Sequence, residues 1–198
     1  MSGKIKILLL GDSNVGKINF LSKYTGTNLT DLDSKLKSLG EVHIDKEIKV
    51  ENKYINIQIW DTKGQERFSS SLEKYLKKDF EGVILFYDIT NKESFEHLKT
   101  NYLTIVEQYM KEEYSKHIKL IIVGNNKDLE DKRNVSREEV IKFCRNKNID
   151  EFEVSSNLGT NISKCIGKLI MKIIGNRKKN VNENNLKFFS VLDKYISF

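Results

Sequence analysis

Residues 11–18 read GDSNVGKI, and their types and spacing are those of a loop that grips phosphate. Glycines at this spacing let the backbone turn tightly, so that successive N–H groups face one set of anionic oxygens. Lys17 adds a point charge, and a helix following the loop adds the positive end of its dipole. Such loops end in Ser or Thr because that hydroxyl ligates Mg²⁺. Here the position holds Ile18, which has no oxygen to offer. Three later polar stretches follow strand-like runs in the same way: DTKGQERF at 61–68, GNNKDL at 124–129 and EVSSN at 153–157.

Strand-like and helical runs alternate around these stretches, which predicts a mainly parallel sheet with helices on both faces. Ile5, Ile7, Leu8, Leu9 and Leu10 form the first strand, and Phe20, Leu21 and Tyr24 then recur at helical spacing before Gly26. Residues 27–41 are polar with no clean period and read as a long loop. Val42 to Val50 and Tyr54 to Trp60 read as a hairpin, with Ile55, Ile57 and Ile59 on one face. Gly82 to Tyr87 is apolar throughout, as a central strand buried on both faces should be. A helix is expected over about 94–114, a strand from Leu120 to Val123, and a helix opened by the capping box of Ser136 and Glu139. Phe152 and Val154 lie in a last strand, and a final helix runs from about Asn161 to Ile174, ending near Gly175. All four chemical stretches thus fall at carboxyl ends of strands, the rim where open α/β sheets bind ligands.

Composition sets outer limits. At 198 residues, with 31% charged residues, 38% hydrophobic ones and no proline, the chain fits one soluble domain rather than a disordered segment. The net charge of +6 is better read as a general Lys and Asn bias than as a nucleic-acid footprint, because no basic stripe is interleaved with aromatics. Cys144 and Cys165 sit among apolar neighbours as small hydrophobes, which suits a reducing compartment. The N-terminal apolar run is too short to span a membrane, and Ser2 stands where myristoylation needs Gly. The chain finishes KYISF with no cysteine, so a prenyl group is not expected.

In their order and setting the four stretches resemble the Ras-like small GTPases, and within them the Rab family, to whose wording GDSNVGK, WDTKGQERF and YDITNKESF are close. The resemblance covers about residues 4–175. It implies an α/β P-loop NTPase fold of the small-GTPase type, with a mostly parallel six-stranded sheet, one antiparallel edge strand and helices on both faces. It also implies a slow GTP hydrolase that binds GTP/GDP with Mg²⁺ and switches in vesicle trafficking, cytoplasmic or peripheral on the cytosolic face of endomembranes. Residues 1–175 would form the GTPase domain, and 176–198 a basic, Asn-rich linker and amphipathic tail.

The resemblance assigns roles residue by residue. Backbone N–H groups of Ser13, Asn14, Val15, Gly16 and Lys17, continuing to Ile18 and Asn19, would cradle the phosphates, with Lys17 reaching the β and γ groups. Asp128 would accept two donors from the guanine edge, Asn125 would brace the base and neighbouring loops, the Ser155 hydroxyl would hold Asp128, and the Ser156 N–H would meet the guanine carbonyl. Gln65 would orient the attacking water and Gly64 would offer its N–H to the γ-phosphate. Asp61 would hold metal through water, and Ser38 would replace the switch threonine if SLG at 38–40 matches the family's TIG.

The departures cluster at the same rim. Ile18 removes a metal ligand, Asn126 replaces a lysine whose stem covers the base, Leu29 replaces an aromatic, and Asn157 replaces a flanking lysine. Lys63 stands where the family has alanine, either supplying charge beside the γ-phosphate or pointing to solvent. The alternative to an active switch is therefore a degenerate GTPase scaffold that binds partners with little turnover. Effector and regulator contact in the family uses three aromatics, matched here by His43, Trp60 and Tyr75. Trp60 also reads as a core aromatic. In the tail, Leu186, Phe188, Phe189, Leu192, Tyr195 and Ile196 share a helical face that would fold back on the domain, dock on a partner or second copy, or lie on membrane.

Overall fold

The computed structural model describes residues 4–50, 53–62, 76–111 and 117–179. Within them six strands form one sheet in the order β2-β3-β1-β4-β5-β6: β1 (Ile5–Leu10), β2 (Glu41–Val50), β3 (Lys53–Thr62), β4 (Gly82–Asp88), β5 (Lys119–Asn125) and β6 (Asp150–Glu153). Only β2 runs antiparallel, paired to β3 with Ile44 opposite Ile59, and the other neighbours are parallel. The hairpin and the antiparallel edge are therefore as expected.

Side chains alternate across the sheet and divide the core in two. Ile5, Ile7 and Leu9 of β1 face one cluster with Ile84, Phe86, Phe20, Ile166 and Leu169. Leu8 and Leu10 face the other, with Val83, Leu85, Phe95, Leu98 and Val140. A strand covered on both faces cannot alternate apolar with polar, which is why β4 reads as a continuous apolar run.

Helices α1 (Lys17–Thr25) and α6 (Ile162–Lys179) contribute to the first cluster. Helices α3 (Lys92–His97), α4 (Leu103–Met110) and α5 (Arg137–Lys147) contribute to the second. Ser136 caps α5 by accepting from the Glu139 N–H, as the capping box predicts.

Three expectations change. Residues 27–41 are not a loop: they contain helix α2 (Leu29–Leu39), opened by the Asn28 side chain on the Thr30 and Asp31 N–H groups and closed by left-handed Gly40. Leu32 and Leu36, four residues apart, give it a buried face too narrow to stand out in a polar sequence. The helix expected over 94–114 starts at Lys92 and is interrupted by a π turn, Leu98–Tyr102, before α4 ends at Met110. Residues 112–116 lie outside the described residues. Finally, α6 passes through Gly175 to Lys179, and Arg177 in this extension meets Glu81 by two contacts of 2.5 Å. Among the described residues no helix is long and apolar enough to cross a membrane.

Candidate nucleotide site

The loop joining β1 to α1 closes on Lys17, whose side chain is only 5% exposed. Its ammonium donates to the carbonyls of Gly11 at 2.7 Å and Asp12 at 2.9 Å, so a full charge is held inside the loop. Gly16 caps α1 with φ at +89°, and a Cβ there would lie 2.1 Å from Asn125 Nδ2. Only glycine fits, for both reasons.

That close approach is a tie between two of the four stretches. Asn125, at the end of β5, donates from Nδ2 to the Val15 carbonyl at 2.9 Å. Its Oδ1 accepts from the Ser156 N–H at 3.0 Å and the Ser156 hydroxyl at 2.8 Å. Asn125 thus braces its neighbouring loops, while the Ser156 N–H expected to meet a base carbonyl faces Asn125 here. Asp128 lies in a 3-10 turn, Lys127–Lys132, that Asn126 opens in the left-handed region at φ +68°. The Ser155 hydroxyl donates to Asp128 Oδ1 at 2.5 Å, and the Asn157 amide approaches Oδ2 at 3.4 Å. The Ser155 hydrogen bond, aided by that of Asn157, lowers the Asp128 pKa below the ordinary carboxylate value despite an opposing desolvation contribution. A charged acceptor is therefore held ready at neutral pH.

An ion-pair bracket that the sequence reading missed supports these loops. Arg133, just after the 3-10 turn, forms a fork with Glu153 at 2.9 Å on both arms and also bonds Glu130 at 2.6 and 2.7 Å. Glu153 is 7% exposed and lies two residues before Ser155, so the bracket ties the Asp128 turn to the Ser155 loop. Nothing in linear spacing joins residues 133 and 153.

Beside the phosphate loop lies a cleft of about 330 Å³ lined by Ser13, Asn14, Gly16, Lys17, Ile18, Asn19, Asp61 and Thr62. Asp61 is 1% exposed at the end of β3. Helix α2 adds Asp33, Leu36 and Lys37 to the lining, a contribution hidden by reading 27–41 as a loop. Asp33 and Lys37 pair at 2.5 Å one helical turn apart. Ser38 is exposed on the same helix, its hydroxyl donating to the Lys35 carbonyl at 3.0 Å, and Leu29 begins the helix 41% exposed. Ile18 packs against the apolar cluster that includes Leu32 and Leu36, so its side chain strengthens the core where a hydroxyl is missing. Lys63, Gly64, Gln65 and Tyr75 lie outside the described residues.

The Ras family model matches residues 6–175. The chain belongs to the Ras family. This small GTPase is 34% identical over 169 residues to Ras-related protein Rab-13 of Canis lupus familiaris, covering 85% of this chain and 79% of that protein. It is 35% identical over 171 residues to Ras-related protein YPTC6 of Chlamydomonas reinhardtii, covering 85% and 74%. It is likewise 35% identical over 171 residues to Ras-related protein RABC2b of Arabidopsis thaliana, covering 85% and 79%. It is a divergent Rab-like member of a family of GTP hydrolases. Members of the family bind GTP/GDP and Mg²⁺, and the residues present fit the nucleotide: a glycine cradle around Lys17, and a charged Asp128 beside Ser155. For the metal, the cleft lining offers the carboxylates of Asp61 and Asp33 and the hydroxyls of Ser13 and Thr62, and Ile18 adds no oxygen.

On the hairpin, His43 sits opposite Trp60 and stacks on it at 4.4 Å with planes 24° apart. Lys78 covers the indole at 4.6 Å and pairs with Glu41 at 2.9 Å, while Trp60 Nε1 donates to Gln58 at 2.8 Å. Phe80 meets the same ring edge-on at 5.9 Å. Trp60 is half-buried, so it serves the second core cluster and still shows at the surface.

Proposed function

We propose that this chain is a Rab-like switch that binds GTP and GDP and hydrolyses GTP slowly. The observation that carries the reading is the joint closure of Lys17, Asn125, Asp128 and Ser155. Lys17, held over the loop by the Gly11 and Asp12 carbonyls, would reach the β and γ phosphates from there. Asp128, kept ionised by Ser155, would accept from the guanine edge, with Asn157 beside it and Ser156 positioned by Asn125. The N–H groups of Ser13 to Asn19 would cradle the phosphates. Gln65 would orient the attacking water and Gly64 would meet the γ-phosphate.

In this reading Asp61 would hold Mg²⁺, which would supply neutralising charge at the phosphates, and Ile18 would give no help, so the metal would be held weakly. Ser38 would join the metal only if α2 gives up its helical form, since its hydroxyl is turned onto Lys35. Slow turnover would accord with that donor set.

The working context is vesicle trafficking on the cytosolic face of endomembranes, with guanine nucleotide and effector or regulator proteins as partners. Effectors would meet His43, Trp60 and Tyr75. The tail at 183–198, also outside the described residues, would fold back, dock on a partner or a second copy, or lie on membrane.

A second reading, a scaffold with little turnover, is favoured by one observation: Leu36 of α2 and Ile18 line the cleft where a metal-bound phosphate would sit. Releasing nucleotide from the purified full chain, identifying it, and following single-turnover GTP hydrolysis with and without Mg²⁺ decides between them. Bound GDP with measurable Mg²⁺-dependent hydrolysis supports the switch. Bound nucleotide with no hydrolysis supports the scaffold, and no guanine nucleotide at all overturns both accounts of the site.

A further inference from the structure

The carboxylate of Asp12 has no part in the binding scheme above, yet it is gripped from two sides. His97 Nδ1 lies 2.6 Å from Oδ2, and the Tyr102 hydroxyl donates to Oδ1 at 3.2 Å. With a carboxylate as its partner, Nδ1 is the protonated nitrogen and donates. Glu93 stands 3.6 Å from the other ring nitrogen. Tyr102 is 1% exposed, while the side chains of His97 and Asp12 are 26% and 19% exposed, so the grip runs from the core to the partly covered edge of the loop.

His97 and Tyr102 are five residues apart, which in an α-helix places side chains about 140° apart around the axis. The π turn narrows that separation. Its i to i+5 bonding, seen where the Leu103 N–H meets the Leu98 carbonyl, widens the turn and brings both side chains round to Asp12. An interruption of this kind in an otherwise regular helix marks a positional demand. Here the demand is at the phosphate loop, because the backbone carbonyl of the same Asp12 accepts from Lys17 at 2.9 Å.

We propose that His97 and Tyr102 are positioning residues for nucleotide retention: they anchor Asp12 from the helix side and so hold the loop, and Lys17 within it, in its phosphate-gripping form. The inference rests on the nucleotide reading above. It supplies what Ile18 takes away, since a loop without its metal-bound hydroxyl depends more on anchors within the protein.

The test uses the full chain with His97→Ala, His97→Asn and Tyr102→Phe, following release of a fluorescent GDP and, in nucleotide-free protein, hydrogen exchange of the amides at 13–17. His97→Ala is expected to release GDP roughly tenfold faster, the scale of one charge-assisted hydrogen bond, and to exchange its loop amides faster. His97→Asn keeps an N–H donor in the same place and is expected to restore both readouts. Tyr102→Phe is expected to give a smaller change of the same sign. Release and exchange equal to the unsubstituted chain in His97→Ala overturn the proposal, as does His97→Asn behaving like His97→Ala. If the unsubstituted chain retains no GDP, the nucleotide reading fails, and exchange at 13–17 then decides the anchoring alone.

Discussion

The Asn125 side chain spans from the Val15 carbonyl at 2.9 Å to both the N–H and the hydroxyl of Ser156, and so locks the phosphate loop to the base loop. Asn125 is 1% exposed, and truncation leaves the polar groups it serves without their partner. Asn125→Ala is therefore expected to cost about 1–3 kcal/mol of folding stability and to speed nucleotide release, read by thermal melting and by a filter-retention assay. Gly16→Ala should be worse for retention, because its Cβ would lie 2.1 Å from the Asn125 amide nitrogen at a φ of +89°.

Restoring the missing hydroxyl separates metal binding from packing. Ile18→Ser gives up apolar contact with the cluster around Leu32 and Leu36 and should lower stability by about 1–2 kcal/mol. The same change should make nucleotide release depend more steeply on Mg²⁺, measured by titrating EDTA against a fluorescent GDP complex. A less stable protein with unchanged Mg²⁺ dependence would mean that the hydroxyl position is not a metal site here.

The Ser155 hydroxyl holds the Asp128 carboxyl below the ordinary carboxylate range, with Asn157 adding a little. The sign follows from linkage: a depressed native pKa favours the charged, bonded form above the unfolded value and loses that advantage as pH falls through the native one. GDP affinity should stay flat from neutral into mild acid and drop only below the usual carboxylate range. In Ser155→Ala the drop should begin at higher pH, which equilibrium binding across a pH series will show.

Arg133 and Glu153 are mostly buried at 15% and 7% exposure, so removing one charge strands the other. Arg133→Met is expected to destabilise by about 2–4 kcal/mol. Adding Glu153→Gln should recover part of that loss, giving a non-additive cycle in denaturant melts. Independent, additive effects would show that the fork does not tie the two loops.

Burial pushes the Cys144 thiol up to about 12, and burial likewise raises that of Cys165, which is fully enclosed. Neither thiol carries appreciable thiolate near pH 8, so a thiol reagent should label both only in denaturant. Rapid labelling of the native protein would contradict their place in the core.

By itself the amino-acid sequence determined the strand-rim pattern: four stretches at strand ends, a central strand apolar on both faces, and the substitutions at Ile18, Asn126 and Leu29. These are local signals, set by periodicity and by residue chemistry at fixed spacing. Tertiary structure alone decided which distant residues meet. It folded 29–39 into a helix because two leucines one turn apart could enter the core between an Asn cap and a Gly stop. It joined Arg133 to Glu153, and Asp12 to His97 and Tyr102, across 20, 85 and 90 positions of chain. A side chain chosen for a partner that far away leaves no period in the sequence, and its purpose becomes legible only when the sheet has brought the two ends together.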